Sequence, residues 1–340
     1  RLAEDGLLEP ADLEAAPDFP AGRVDYGAVI EWKRVMLARA HARFAAGAAP
    51  RLREAYEEFH GTHAAWLEDF ALFMALKDLH GGAVWTAWEE GFARREPRAL
   101  ATAGERLAAV VDLHRFRQFL FFRQWSALRG RARERGVRIV GDLPIFVAHD
   151  SADVWAHPEL FRLDERGEPT VVAGVPPDYF TRTGQLWGNP LYRWDALART
   201  GYSWWIDRFR AVLQLVDVVR LDHFRGFEAF WEVPGDASTA VDGRWVKGPG
   251  VPFFEALFAM LERPDAFDAY VSVSPAIWWG DRYLLEREEE LASSRTDLDA
   301  TLFMAVGGGE EREDIPLLSS FKMVSNLQAL AERYGRGVRS

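Results

Sequence analysis

Twice along this chain a helix-like pattern runs into a short β-branched apolar stretch, and that order restricts the fold more than any other feature. Phe116, Phe119, Leu120 and Trp125 recur at helical spacing until Gly136, and residues 137–140 (Val-Arg-Ile-Val) then predict a buried strand. Residues 204–215 are amphipathic, and residues 218–221 (Val-Val-Arg-Leu) predict a second strand behind them. A strand, a helical crossover and another strand make a parallel pair, because the helix carries the chain back to the starting edge. Upstream, residues 27–135 read as mostly helical, with Trp66, Phe70, Phe73 and Met74 on one helix and Gly81-Gly82 as its stop. Between the two strands, residues 149–200 form a long excursion rich in Pro, Gly and aromatics. Excursions of this kind at the C-terminal end of a parallel sheet carry substrate contacts.

Both predicted strands run into charge. Arg220 and Asp222 are two apart, so on a strand they share a face. A guanidinium beside a carboxylate favours its ionised form, and Gly226 lets the backbone turn away beneath. Residues 141–150, Gly-Asp-Leu-Pro-Ile-Phe-Val-Ala-His-Asp, bring a second carboxylate, Asp142, to the first strand. An isolated Arg-x-Asp is more often an ion pair closing a strand. What reverses that preference here is the company of the blocks at 141–150 and 174–194.

Residues 217–227 read Asp-Val-Val-Arg-Leu-Asp-His-Phe-Arg-Gly-Phe. Residues 174–194 read Gly-Val-Pro-Pro-Asp-Tyr-Phe-Thr-Arg-Thr-Gly-Gln-Leu-Trp-Gly-Asn-Pro-Leu-Tyr-Arg-Trp. With block 141–150 and the phrases Val-Trp-Ala-His-Pro-Glu and Pro-Thr-Val-Val-Ala-Gly-Val-Pro-Pro-Asp-Tyr-Phe, they closely resemble the amylomaltases. These are the 4-α-glucanotransferases of the α-amylase-like barrel enzymes, and the likeness runs from about residue 1 to about residue 263. It implies an α/β fold, a partial (β/α)8 barrel with a large helical insertion. It also implies retaining transfer of α-1,4-glucan segments, with maltooligosaccharides as partners and no metal or organic cofactor. Such transfer uses two carboxylates about 5 Å apart. By resemblance Asp222 is the nucleophile, Arg220 orients it, and Asp142 and His223 line the donor sugar subsite. Tyr179, Phe180, Gln185, Trp187 and Asn189 match a lid-like loop on the acceptor side, where aromatic stacking favours sugar over water. Read from the residues alone, Tyr179 and Phe180 also fit buried loop anchors, and Gln185 a turn residue before Trp187-Gly188-Asn189-Pro190.

Composition narrows the field further. A net charge of −11 with both signs interspersed argues against nucleic acid or anionic membrane, whereas a neutral polyol needs no charge complementarity. The absence of cysteine excludes disulfides, thiolate metal sites and cysteine nucleophiles, and is compatible with a cytoplasmic setting. No apolar run approaches a membrane span, and no signal peptide is visible. The opening Arg-Leu-Ala-Glu-Asp, without methionine, reads as part of something longer or as a processed product. Fourteen tryptophans suit sugar stacking, yet Trp66, Trp125, Trp204 and Trp205 sit in helical patterns and are assigned to the core. His149, His157, Asp150 and Asp153 match no ligand spacing and are assigned to a loop surface.

Past about residue 264 the text changes. Amylomaltases continue through a strand ending in a Glu-Asp pair and a later His-Asp pair, and this chain has neither. Residues 267–340 begin Phe-Asp-Ala-Tyr-Val-Ser-Val-Ser-Pro-Ala-Ile-Trp-Trp. They resemble the C-terminal part of an α/β-hydrolase of the ferric-enterobactin esterase type. A strand near 302–306 and a charged helix near 284–291 fit that likeness. No Gly-x-Ser-x-Gly elbow occurs, so Ser272 and Ser274 are assigned to structure. Glu228 and Glu232 follow the Asp222 turn and are expected to face elsewhere, which leaves the acid/base unassigned. The expected organisation is a helical subdomain (1–135), a partial (β/α) barrel segment (136–264) and a short α/β-hydrolase-like tail (265–340). Three functions remain open: a 4-α-glucanotransferase, a non-catalytic glucan-binding remnant and a carboxylic-ester hydrolase.

Overall fold

The computed structural model describes residues 1–179, 181–260, 269–273 and 301–305. It divides into two units, Arg1–Phe253 and Phe254–Ser340. The first begins with helices α1 (Pro10–Glu14), α2 (Tyr26–Ala45), α3 (Arg51–Leu79), α4 (Glu90–Ala93), α5 (Pro97–Arg106) and α6 (Ala108–Glu134). Asp25 caps α2 by accepting from the Ala28 N–H at 3.3 Å. Helix α3 stops where Gly81 and Gly82 enter the left-handed region, and Gly136 (φ 70°) ends the turn after α6. Three of these helices close one core. Met36, Ala40 and Phe44 of α2 meet Tyr56, Phe59 and Leu67 of α3 and Phe116, Phe119 and Leu120 of α6. The Phe44 and Phe116 rings stack at 4.8 Å. Each such side chain taken from water contributes about 1.5–3 kcal/mol, so this cluster anchors the helical half.

The expected parallel pair is present. Strand β1 (Val140–Pro144) pairs with β4 (Val218–Asp222), with Asp142 opposite Arg220 and Pro144 opposite Asp222. Helix α9 (Ser203–Leu215) makes the return and buries Trp205, Ile206 and Phe209. Trp66, Trp125 and Trp204 are half-buried. One expectation needs correction. Residues 137–140 are not a buried strand: Val137 and Val140 are 54% and 61% exposed, and the ladder begins only at Val140. Ahead of it, the Asp217 and Val218 N–H groups both donate to the Ile139 carbonyl, at 2.9 and 3.1 Å. Among the described residues β1 has a strand on one side only; Val140 at its start is exposed, whereas Leu143 is buried.

The excursion is also more than loop. It holds α7 (Ala152–Ala156), β2 (Val171–Val175), β3 (Gln185–Pro190) and α8 (Trp194–Arg199). With β5 (Ala229–Pro234) and β6 (Arg244–Lys247) its strands form an antiparallel sheet in the order β3-β2-β5-β6. Gly174 is required where β2 passes β3, since a Cβ there would lie 2.7 Å from the Gln185 carbonyl oxygen. Helix α10 (Val251–Met260) follows. In the second unit, β7 (Ala269–Val273) pairs in parallel with β8 (Thr301–Ala305), and Ser272 lies in β7. Ser274, the Trp-Trp loop and the expected helix near 284–291 lie outside the described residues. Among the described residues no helix is long and apolar enough to cross a membrane.

Asp217 locks the entry to the parallel pair. Its carboxylate accepts from the Ile139 N–H at 3.0 Å, from Arg129 at 2.8 Å and from Arg133 at 2.6 Å. The backbone N–H first, then the two arginines, hold its pKa well below the usual carboxylate range. A lowered carboxylate pKa gives stability that is present above the unfolded value, about pH 4, and lost as pH falls towards the folded value. Asp217→Asn is therefore expected to lower Tm clearly near neutral pH. The gap from the parent should narrow on acidification below about pH 4. Thermal melts of both proteins across pH check this, and a gap independent of pH would refute the electrostatic assignment.

Candidate active site

At the C-terminal ends of β1 and β4, one guanidinium joins two carboxylates. Arg220 donates from Nε and Nη2 to the two oxygens of Asp142, at 2.5 and 2.6 Å. The same Nη2 donates to Asp222 Oδ1 at 3.3 Å. The pairing register explains this: Asp142 lies directly across from Arg220, and Asp222 follows two residues on, on the same face. Arg220 was expected to orient Asp222. The structure gives the two-pronged contact to Asp142 and a single longer bond to Asp222. The Arg220 hydrogen bonds hold the Asp142 carboxyl below its ordinary pKa, and Asp142 raises that of Arg220 in return. All three side chains are about half exposed, so solvent screens the cluster and leaves it open to a ligand.

His223 follows in the left-handed region (φ 51°), which turns the chain sharply off the strand. Gly226 permits the turn, because a Cβ there would come within 2.8 Å of Ile145 and 3.0 Å of the His223 ring. The imidazole meets the Trp187 ring edge-on at 4.8 Å, and its Nε2 is buried without a hydrogen-bond partner among the described residues. Trp187 is 37% exposed, and its Nε1 donates to Gln185 Oε1 at 3.1 Å. Asn189 is used differently: its Nδ2 donates to the Val147 carbonyl at 2.9 Å, tying β3 to the segment after β1. Tyr179 is half-buried, and Phe180 lies outside the described residues. Thus Asp142, Arg220 and Asp222 form one cluster, with His223, Trp187 and Gln185 as a connected wall.

The floor beside this wall was not foreseen. Phe146 meets Trp187 at 6.4 Å, Tyr192 at 6.0 Å and Phe230 at 6.3 Å, and the Tyr192 hydroxyl donates to the Ile145 carbonyl at 2.8 Å. The only local signal was the apolar Ile-Phe-Val directly after Asp142. Glu232 is 4% exposed and accepts from Arg244 at 2.6 Å, while Glu228 is exposed. Among the described residues neither contacts the Arg220 cluster. His149 contacts the Gly167 carbonyl (2.8 Å), Asp150 accepts from Lys77 (2.6 Å) and His157 lies 3.7 Å from Glu159.

Burial pushes the His223 pKa below its ordinary value. The ring is expected to titrate below an ordinary histidine, with stability falling as pH drops below the unfolded value of about 6.5. An NMR titration of the His223 ring checks this, and an ordinary or raised midpoint would contradict it.

The family model for glycoside hydrolase 77, described as 4-alpha-glucanotransferase, matches residues 1–271. A 4-alpha-glucanotransferase of Thermus thermophilus is 56% identical over 256 residues, covering 75% of this chain and 50% of that protein. One from Synechocystis sp. is 52% identical over 258 residues, covering 76% and 51%. Among solved structures, an amylomaltase from Streptococcus agalactiae in complex with acarbose aligns with a TM-score of 0.75 at 30% identity. That alignment covers 100% of this chain and 70% of the other. The chain spans about half the length of the curated relatives it matches. Given a family match across most of the sequence, the chain belongs to the glycoside hydrolase 77 family of 4-alpha-glucanotransferases.

Proposed function

We propose that this chain carries the nucleophile side of a retaining 4-α-glucanotransferase site acting on α-1,4-glucans and maltooligosaccharides. The observation that carries this reading is the Arg220 guanidinium joining Asp142 and Asp222 at the open ends of a parallel pair. In the proposed reaction an Asp222 oxygen attacks the anomeric carbon as its bond to the leaving glucan oxygen breaks. The leaving oxygen takes a proton, and the sugar stays on Asp222 as an ester. The 4-hydroxyl of an acceptor glucan then displaces the carboxylate and gives up its proton, which restores the one taken by the leaving oxygen. Arg220 positions Asp222, and its two-pronged grip leaves Asp142 oriented for sugar hydroxyls. Neutral His223 contributes a neutral hydrogen-bonding edge to the donor side, and the open Trp187 ring a stacking face with Gln185 fixing its angle. Tyr179 and Phe180 belong to the acceptor loop in this reading, while Asn189 acts through the backbone it ties down.

The proton donor is unassigned, and that favours a second reading, a glucan-binding remnant without turnover. One experiment separates the two. In α-maltosyl fluoride the leaving group departs as fluoride with little protonation, so ester formation on Asp222 does not wait for an acid. Peptide mass spectrometry after a brief reaction is expected to find a maltosyl ester on Asp222 and none in Asp222→Asn. Binding without labelling would leave the remnant. For the tail, an esterase-like origin rests on its sequence phrases, and the missing serine elbow places ester hydrolysis third.

A further inference from the structure

Beyond Asp142 the chain leaves β1 through Ile145, Phe146 and Val147, three consecutive apolar residues that are all buried. They follow the last residue of the β1 ladder, so their carbonyls need donors from elsewhere. Side chains from one later stretch meet two of these carbonyls. The Tyr192 hydroxyl donates to that of Ile145 at 2.8 Å, and Arg208 Nη1 reaches the same oxygen at 3.4 Å. Asn189 Nδ2 donates to that of Val147 at 2.9 Å. A buried carbonyl stripped of its donor costs about 1–3 kcal/mol, so these bonds fix the path of the segment.

Phe146, the middle residue, is what this segment presents to the candidate site. Its ring stacks on Tyr192 at 6.0 Å, meets Phe230 at 6.3 Å and reaches Trp187 at 6.4 Å. Among the described residues the Trp187 ring meets two others, Phe146 and the His223 imidazole, and Gln185 holds its Nε1. Its angle therefore depends on where Phe146 stands. Tyr192 has no such freedom. It is wholly buried, packed by Phe161, Trp194, Trp204 and Trp205 at 5.2, 5.0, 5.7 and 5.6 Å. Burial pushes its pKa above the ordinary tyrosine value, so the hydroxyl keeps its proton and remains a donor. A phenylalanine would fill the same slot and lack only that bond.

We infer that Tyr192 is a positioning residue for sugar binding: its hydroxyl sets the Ile145 carbonyl, through it the Phe146 ring, and so the face that Trp187 offers to a glucose ring. This role rests on the glucan reading of the Arg220 site, and adds to it a residue that stands behind the wall rather than in it. A binding face works when it is held within about 0.5 Å and 10–20° of its productive geometry, which takes support from packed, hydrogen-bonded residues behind it. Tyr192 supplies both kinds of support, its ring by stacking on Phe146 and its hydroxyl by fixing the backbone next to it. The two can be separated, because removal of the hydroxyl leaves the stacking in place.

Fluorine NMR of the chain labelled with fluorotryptophan tests the relay, with the Trp187 signal identified by its loss in Trp187→Ala. Tyr192→Phe is expected to move that signal, although no ring contact joins Tyr192 to Trp187. Phe146→Leu should move it too, and Tyr192→Phe added to Phe146→Leu should then change nothing further. Calorimetric titration with maltotriose reads the consequence. Tyr192→Phe is expected to weaken binding about threefold in the parent and not at all in Trp187→Ala, whereas a purely structural residue would weaken both alike. An unmoved Trp187 signal in Tyr192→Phe, or in Phe146→Leu should the first variant not fold, would overturn the inference. Equal loss of maltotriose affinity with and without Trp187, or no loss in the parent, would overturn its link to sugar. A parent that binds no maltotriose would defeat the glucan reading itself, and the fluorine signals would still decide whether Tyr192 sets Trp187.

Discussion

Disproportionation of maltotriose by this chain is expected to run about 10²–10⁴-fold below that of a full-length amylomaltase, the range associated with loss of general acid catalysis. In the proposed reaction the cluster supplies a nucleophile, its positioning arginine and an aromatic wall, but the leaving glucan oxygen needs a proton. Neither Glu228 nor Glu232 contacts that cluster among the described residues, and Glu232 is held by Arg244. Any looseness in positioning adds to the deficit. Glucose release and the appearance of longer maltooligosaccharides measure it directly. Turnover at the full-length rate, abolished by Asp222→Ala, would show that another side chain delivers the proton. The labelling experiment with α-maltosyl fluoride is unaffected by this deficit, so the two assays divide nucleophile from acid.

Trp205→Ala is expected to cost about 3–5 kcal/mol of stability, the range for a large aromatic removed from a packed core. Trp205 is wholly buried beneath β4. Its ring meets Tyr192 at 5.6 Å, Phe209 at 6.1 Å, and Phe227 and Phe253 at 5.5 Å each, with the Arg208 guanidinium 4.8 Å above it. Phe227 closes the short turn that carries His223, so the loss reaches the site as well as the core. At about 2–4 °C per kcal/mol for a unit of this size, the shift is large in a thermal melt. Trp187→Ala, on an open ring, should change stability by only about 0.5 kcal/mol. Equal effects for the two tryptophans would contradict the division into core and wall.

That division was partly legible beforehand. Trp205 recurs with its neighbours at helical spacing, and local spacing is enough to assign a helix face to the interior. Trp187 sits in a turn-rich phrase with no periodicity, and its place came from family likeness rather than from any local pattern. Asn189 shows the limit of such likeness. The likeness places it with its loop on the acceptor side, and the structure adds a contact it does not state, from the Asn189 amide to the Val147 carbonyl. The four-stranded antiparallel sheet was illegible for a physical reason. β2 is buried along most of its length and so shows no alternation, and its partner β5 lies across the whole α8–α9–β4 segment. Val137 and Val140 misled in the other direction, since their β-branched character states a preference for strand and says nothing of which neighbours cover them.

The sequence by itself determined the helical half, the helix-then-strand order behind a parallel pair, and the two aspartates at its end. These follow from spacing, turn chemistry and crossover handedness, all of which act within a short span of chain. Tertiary structure alone decided which carboxylate receives the two-pronged hold of Arg220. Arg220 and Asp142 are 78 residues apart, and no local rule sets the register of β1 on β4. Had that pairing slipped by one residue, the two side chains would stand on opposite faces of the sheet, because successive residues on a strand alternate. The register is in turn held from the far end of the strands, where Asp217 bonds the Ile139 N–H and two arginines of α6.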